Sequence, residues 1–549
     1  MALSTKPGPS QPSSPPYPTP YSGAGQAAQR PGSPGNTLPL WRRVDINMLW
    51  DQARRTLRGQ FTVLAIGILL VAVLAGLFIS GAFRQSYGYL HTIAIDSVPS
   101  VDAAQAMAEY IQDIDAKSAD YLAAAGLTEQ VACPIPGTSY NPGNITIHQC
   151  DDLTISAEIT LANKELFNAA HNVTYPGERT AVERITAGFE EYVGDISVMR
   201  HEYELAASKT DPRDEHLIRA RQAYIAANNV LLERITQQPT VDASGNPIYN
   251  EQGIPACVIK DPLGDRTVAA KDWPLGGIQD NIDCLNSINK GFLDNAYADT
   301  VNFLGYTIVL TMLFCFAFCL LIGFTTWRMA AVTHRVVNVG LTIALLVSIV
   351  FSFFVVTHLF ELSGRHGAYG QMVRDDYDSV YYAAQLKHYG TAANADESRW
   401  LIALEFGDQA AADHWQQDWL DNTSRVSMLI KRAQDNRTWP EEDQPLAAMQ
   451  TNWKSYFTID GQIRAAARNT SDPQRIITAE RISTGISNQT FGKFTDAVDQ
   501  LSLANRSYFD RTYASEAANL TLYTTLSLVL FPLIGLVAAW GVSRRFKDF

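Results

Sequence analysis

A chain of 549 residues with 46% hydrophobic residues and a net charge of −13 has the bulk composition of an acidic globular protein. The acid excess argues against a nucleic-acid partner. Four uncharged apolar runs, each near the 20 residues that cross about 30 Å of hydrocarbon, exclude a wholly soluble protein.

Residues 1–40 hold ten of the 25 prolines among Ser, Gly, Thr and Gln, and they lack the large aliphatic residues from which a core is made, so this tail reads as disordered. Its Ser14-Pro15, Thr19-Pro20 and Ser33-Pro34 steps fit either an inert segment or a phosphorylated, partner-binding one. Residues 41–60 set Val44, Met48, Trp50 and Leu57 among Arg42, Arg43, Arg54, Arg55 and Arg58, the pattern of a basic amphipathic segment at a membrane surface. The first apolar run, 61–83, is too long and too far from the start for a signal-peptide core, and reads as an anchoring span.

A segment of some 220 residues follows, 84–302. Within 98–125, Val101, Ala104, Ala108, Ile111, Ile114, Ser118, Tyr121, Leu122 and Ala125 recur mostly three or four apart, as in a bundle helix. Glu109, Asp113 and Asp115 fall between them, on faces expected to meet water. Further helices are expected near 153–170, 178–208 and 214–235, with Thr210-Asp211-Pro212 ending one and capping the next. Residues 237–285 are rich in Pro, Gly, Asn and Asp, with a turn at Ser244-Gly245-Asn246-Pro247, and Trp273 marks them as a small structured insertion. A helical pattern resumes at Ser287 and runs unbroken into the second span, 303–326.

Residues 327–335 form a short basic turn carrying Trp327, Arg328, His334 and Arg335, and the third span, 336–358, completes a hairpin. The second long segment, 359–519, shows helical stretches near 364–389, 396–433, 441–468 and 473–519. The last runs into the fourth span, 520–542, where Pro532 is either a functional bend or a tolerated kink. Two echoes point to an internal duplication: Ser118-Ala119-Asp120-Tyr121-Leu122 beside Ser398-Arg399-Trp400-Leu401, and Thr210-Asp211-Pro212 beside Ser471-Asp472-Pro473.

Charge orients the spans. Residues 1–60 have seven Lys or Arg against two Asp, the hairpin turn two Arg and no acid, and 543–549 three basic residues against one Asp, which leaves −22 for the two long segments. By the positive-inside rule both termini and the turn are cytoplasmic in a plasma membrane, and both long segments are extracytoplasmic. The expected fold class is therefore an all-α membrane protein with four transmembrane helices and two extracytoplasmic helical-bundle domains.

Cys315 and Cys319 lie within the second span, while Cys133, Cys150, Cys257 and Cys284 all fall in the first outside segment. An even number on an oxidising side suggests two bridges. Four cysteines allow three connectivities; nearest-neighbour pairing would staple two loops. Eight Asn-x-Ser/Thr sequons, at Asn144, Asn172, Asn422, Asn436, Asn469, Asn488, Asn505 and Asn519, would be acceptors in a glycosylating host. No phosphate loop, zinc signature, nucleophile elbow or kinase motif occurs, so neither catalytic residues nor a cofactor or metal is assigned. His201 with Glu204, and His414 with Asp413, read as solvated neighbours rather than metal ligands.

The plan resembles extracytoplasmic four-helix-bundle sensors of the chemoreceptor type, in tandem and without a signalling rod. Trp327 with Thr333-His334-Arg335-Val336-Val337-Asn338-Val339-Gly340-Leu341 is similar to the basic turn of four-span bacterial membrane proteins of the glutamate and glutamine sensing relay. Asp113-Ile114-Asp115-Ala116, Tyr121-Leu122-Ala123 and the C-terminal Arg544-Arg545-Phe546-Lys547-Asp548-Phe549 are similar too. Beyond the lipid bilayer, that resemblance implies a solute-binding protein outside, a Ser/Thr kinase inside and, by analogy with bundle sensors, a homo-oligomer. It implies a non-enzymatic transducer whose output residues are Trp327, Arg328, His334, Arg335, Asn338, Arg544 and Arg545. The residues alone leave a structural or surface-assembly protein as the alternative. The 237–285 insertion and the Pro-rich tail depart from the family.

Overall fold

The computed structural model describes residues 56–548 apart from 125, 126, 250, 335 and 336. The expectations for residues 1–55 and for Arg335 lie outside the described residues. The chain divides into two units, 1–60 and 61–549, and the second carries nearly all of the described elements.

Twelve helices of eight or more residues form the described chain: α1 Leu57–His91, α2 Val98–Ala123, α3 Ile147–His171, α4 Glu178–Leu205, α5 Glu215–Leu232, α6 Ile278–Thr333, α7 Val339–Leu362, α8 Asp378–Glu405, α9 Gln409–Asp435, α10 Asp443–Ala467, α11 Arg475–Ile482 and α12 Asn488–Ser543. Their starts follow from side chains that satisfy the free N–H groups of a first turn. Thr146 and Gln149 form a capping box on α3, Asp214 accepts from the His216 and Leu217 amides on α5, and Asn338 accepts from the Leu341 amide on α7. Among the described residues, sheet is confined to two short antiparallel pairs and one isolated bridge, Val241 to Pro247. β1 (Gln130–Ala132) pairs with β2 (Asn144–Thr146), Gln130 opposite Thr146; β3 (Cys257–Ile259) pairs with β4 (Arg266–Val268), Cys257 opposite Val268.

Among the described residues, four helices are long and apolar enough to cross a membrane: Leu57–Ala123, Ile278–Thr333, Val339–Leu362 and Arg475–Phe546, of 67, 56, 24 and 72 residues. Three of them continue far beyond the hydrocarbon. α1 passes into α2 through a π-helical segment, Thr92–Ser97, and α11 into α12 through another, Ser483–Ser487. Pro532 sits inside α12, which runs on past it to Ser543. Only α7 among the four stops at the span: Gly364 takes φ +83°, and the chain resumes through a third π-helical segment, Gln371–Tyr377, into α8.

Three boundaries differ from the pattern reading. α6 continues to Thr333 and α7 begins at Val339, so Trp327 and Arg328 lie on α6 and the hairpin turn falls between Thr333 and Val339 rather than over 327–335. Gly276 and Gly277 let α6 begin at Ile278 rather than at Ser287, so Cys284 lies on a helix. The break expected after Tyr389 is absent. Gly390 is buried within α8, where a Cβ would meet the Phe494 ring at 3.0 Å, and the real break is at Gly407, φ +71°.

The apolar interior has separate centres. One gathers α2 to α5 and the start of α6 around Ile111, Ile155, Phe189, Tyr192 and Trp273, and includes Ile402 of α8. A second joins α8, α9, α10 and α12 around Leu386, Trp419, Trp453 and Phe494. A third, smaller one lies around Trp400 and Ile463. The four spans share another, with Ala72, Phe83, Phe318, Phe351 and Phe531. Small residues bring the spans together, as expected where lipid offers no hydrophobic drive to association. A Cβ on Gly340 would lie 2.6 Å from the Gly541 Cα, and one on Gly535 would lie 2.7 Å from Ala72.

One arrangement occurs twice. In Asn172-Val173-Thr174-Tyr175-Pro176-Gly177-Glu178, Glu178 accepts from the Thr174 and Tyr175 amides, and the Asn172 amide donates to the Asp96 carbonyl and the Ser100 hydroxyl. In Asn436-Arg437-Thr438-Trp439-Pro440-Glu441-Glu442, Glu442 accepts from the Thr438 and Trp439 amides, and the Asn436 amide donates to the Arg374 and Asp375 carbonyls and to Ser379. Tyr175 stacks on Phe292 at 3.9 Å and Trp439 on Tyr508 at 4.0 Å. Asn505 donates to Glu442 at 2.7 Å, and Asn289 occupies the corresponding place beside Glu178.

Candidate functional site

Helix α2 lies between α3 and α8, so it has two packed faces where an amphipathic helix at a bundle surface has one. Its acids are therefore not on water-facing surfaces as the periodicity suggests. Asp115 is fully buried and pairs with Arg399 of α8. Arg399 also donates to Asp396 at 2.6 Å and to the Tyr224 hydroxyl at 3.1 Å, while Asn228 donates to Asp115 at 3.0 Å. Asp120, also fully buried, accepts from Ser398 at 2.6 Å and Asn488 at 2.7 Å. Nearer the spans, Lys387 bridges Glu109 at 2.5 Å and Asp499 at 3.0 Å, and Asp102 takes Tyr377 at 3.2 Å and Arg506 at 2.5 Å. The seam between the two halves of the chain is thus a ladder of charged pairs.

Burial strains the electrostatics of this ladder. Removal from water disfavours the charged form, which lowers Arg399 to about 9, pushes Asp396 well above the ordinary carboxylate range and raises Glu397 to about 8. Glu397 is held by Ser483 at 2.5 Å from the π-helical segment before α12. A cavity of about 900 Å³ opens beside the seam, lined from α2, α3, α8, α12 and the loop closed by the Cys133–Cys150 bridge. A second cavity, about 490 Å³, lies on the far side of α8 against the β3–β4 hairpin, where Arg425 pairs with Asp261 at 3.0 Å.

The cysteines pair as nearest neighbours, Cys133 with Cys150 and Cys257 with Cys284, while Cys315 and Cys319 are free. The second bridge ties β3 to α6. Of the residues expected to carry output, Asn338 is buried: its amide donates to the Gly541 carbonyl at 2.8 Å while its oxygen caps α7. Arg545 donates to the Val337 carbonyl at 3.0 Å, so the hairpin turn and the C-terminal segment meet. Arg544 lies over the Trp540 ring. His334 ends α6 in the left-handed conformation, φ 54°, and Trp327 is exposed beside Phe324. Arg328 lies within α6.

His201 is exposed and His414 lies 3.5 Å from Asp418; no three His, Cys, Asp or Glu among the described residues converge as a metal-binding group. Several sequon asparagines turn inward: besides Asn172 and Asn436, Asn422 donates to Asp396, Asn488 to Asp120 and Asn505 to Glu442. Periodicity does not reveal the seam, because its charges sit on helices otherwise apolar and small; Arg399, within the Ser398-to-Leu401 echo, is the available signal. No protein-family model, curated protein or solved structure matches this chain.

Proposed function

We propose that this is a non-enzymatic transmembrane signal transducer, with both termini and the hairpin turn in the cytoplasm and two helical bundles outside. The observation that carries the reading is helix continuity: three spans run as unbroken helical paths into the packed region that holds the polar seam. A helix is stiff along its axis and satisfies its own backbone, so a rearrangement of the seam moves spans. On the other side, Asn338, Gly541, Val337 and Arg545 link the turn to the C-terminal segment, which offers a joined surface to a cytoplasmic protein. The partners that fit are a solute-binding protein outside and a Ser/Thr kinase inside. Affinity capture of the native complex followed by mass spectrometry tests this; recovery of neither kind of partner counts against it. Replacing Arg328 and Arg335 together with Ala is expected to weaken capture of the cytoplasmic partner in correctly inserted protein.

A further inference from the structure

The 900 Å³ cavity beside the seam contains more negative than positive side chains. Lys117 is shared by Asp120 at 3.2 Å and Asp151 at 3.4 Å, and Lys387 by Glu109 and Asp499. Both lysines are thereby used, and neither Asp113 nor Glu158 makes an ion pair among the described residues. Side chains that are almost wholly buried point unpartnered atoms toward this space. Asp151 and Glu158 are each 3% exposed and Asn394 4%, yet Asp151 Oδ2, Glu158 Oε2 and Asn394 Oδ1 accept no hydrogen bond within the protein. Uncompensated buried acceptors cost on the order of 1–3 kcal/mol each, more when charged, so a site that keeps several has chemistry waiting for a donor. Apolar Val131, Leu161 and Phe491 form part of the remaining wall, beside neutral polar side chains such as Thr154 and Thr391. The volume falls within the roughly 300–1,000 Å³ of small-molecule sites.

From this geometry we infer that the cavity binds a small organic ammonium compound, its cationic head donating to Glu158, Asp151 and Asp113 and its apolar body lying along Val131, Leu161 and Phe491. A metal ion does not fit, since no three-ligand group forms there. Burial raises these carboxyls: desolvation pushes Glu109 and Asp151 to about 7 and Glu158 to about 8, and lifts Asp113, with neighbouring acids adding to the rise and Lys387 and Lys117 opposing it. An arriving cation would favour their ionised forms and release protons, so its affinity rises with pH across this range. The cavity is walled by α2, α3, α8 and α12 together, and its occupant would set the spacing of the two halves. That last step rests on the signalling reading; the binding itself does not.

Purified full-length protein in detergent tests this with phenethylamine, butylamine and 1,4-diaminobutane as probes and phenylacetate as the acidic control, read by calorimetry and by thermal shift. Saturable binding of an amine, with no binding of phenylacetate, is expected, and the affinity should rise from about pH 6 to about pH 8.5. Glu158→Gln is expected to weaken the amine about tenfold or more while leaving the ligand-free protein as stable or more so, since it removes an unpaired buried acid. Absence of saturable binding by all three amines, equal binding of phenylacetate, or an unchanged affinity in a folded Glu158→Gln protein would each overturn the site. An amine that binds without altering capture of the cytoplasmic partner would leave the site standing and sink the signalling reading instead.

Discussion

Replacing Arg399 with Met tests whether the seam is held by its central charge. Arg399 is 4% exposed, and its guanidinium contacts Asp115, itself fully buried, and Asp396, 1% exposed. Met preserves much of the side-chain volume, so the change removes charge rather than opening a large cavity. It leaves two buried carboxylates without their cation, and breaking a buried pair in this way costs about 3–5 kcal/mol. For a domain-sized cooperative unit that corresponds to a fall in Tm on the order of 10 °C. The measurement is thermal unfolding of the full chain in detergent, followed by far-UV circular dichroism. Asp115→Asn and Asp396→Asn added to Arg399→Met remove the stranded charges while keeping partners for Asn228 and Asn422, and are expected to recover more than half of the loss, because neutral replacements of buried ion pairs are often near neutral. A single Arg399→Met that costs under about 1 kcal/mol, or a triple variant no better than the single one, would refute the claim that electrostatic pairing organises the seam.

Stability should fall as pH rises from about 5 to about 8, since Glu109, Asp151, Glu158, Glu397 and Glu480 are all raised by burial, the last to about 9, and so hold protons in the folded chain that the unfolded chain has already lost. A flat or rising Tm over that interval contradicts the assignment. Removing the Cys257–Cys284 bridge as the Ala pair should cost about 3 kcal/mol, and removing Cys133–Cys150 a similar amount, given separations of 27 and 17 residues. Non-reducing peptide mapping should recover only these two pairings. In a glycosylating host, exposed Asn144 and Asn469 should accept glycans while Asn172, Asn436 and Asn505 remain bare; site-resolved mass spectrometry reads the outcome directly.

The spans are legible in the sequence because an uncharged apolar run of about 20 residues rarely serves any purpose but crossing a bilayer, and the continuity of α6 and α12 with their spans is legible because no Gly or Pro pair interrupts the helical pattern between them. The disulfide pairing is one of three possibilities, and proximity along the chain favours the right one. Periodicity misplaces the acids of α2 for a specific reason: it identifies one buried face, whereas Asp115 and Asp120 belong to a second, created only when Arg399, Ser398 and Asn488 arrive from distant parts of the sequence. Gly390 reads as a break because local propensity disfavours glycine in helices; the aromatic rings of Phe491 and Phe494 need the space that glycine leaves. The repeated Asn-x-Thr-aromatic-Pro-x-Glu motif is fully present in the sequence, but its Asn-x-Thr portion resembles a glycan acceptor, and only the hydrogen bonds show it to be a helix-entry clamp.

Stability alone does not account for a seam of charges. Apolar residues of similar volume would hold α2 against α8 as well or better, and the shifted Arg399 and Asp396 show what the burial costs. What charges add is register. Along α2, Asp102, Glu109 and Asp120 meet partners from α8, α12 or the π-helical segment before α8 at 2.5 to 3.2 Å, and Asp115 pairs with Arg399 of α8. A slide of one residue along the helix axis is about 1.5 Å, enough to lengthen all of these bonds together. An apolar seam would accommodate such a slide gradually, since dispersion is non-directional; this one resists it until the pairs give way as a set. Such a seam would confine the two halves to discrete arrangements, the property that the proposed relay through rigid helices requires.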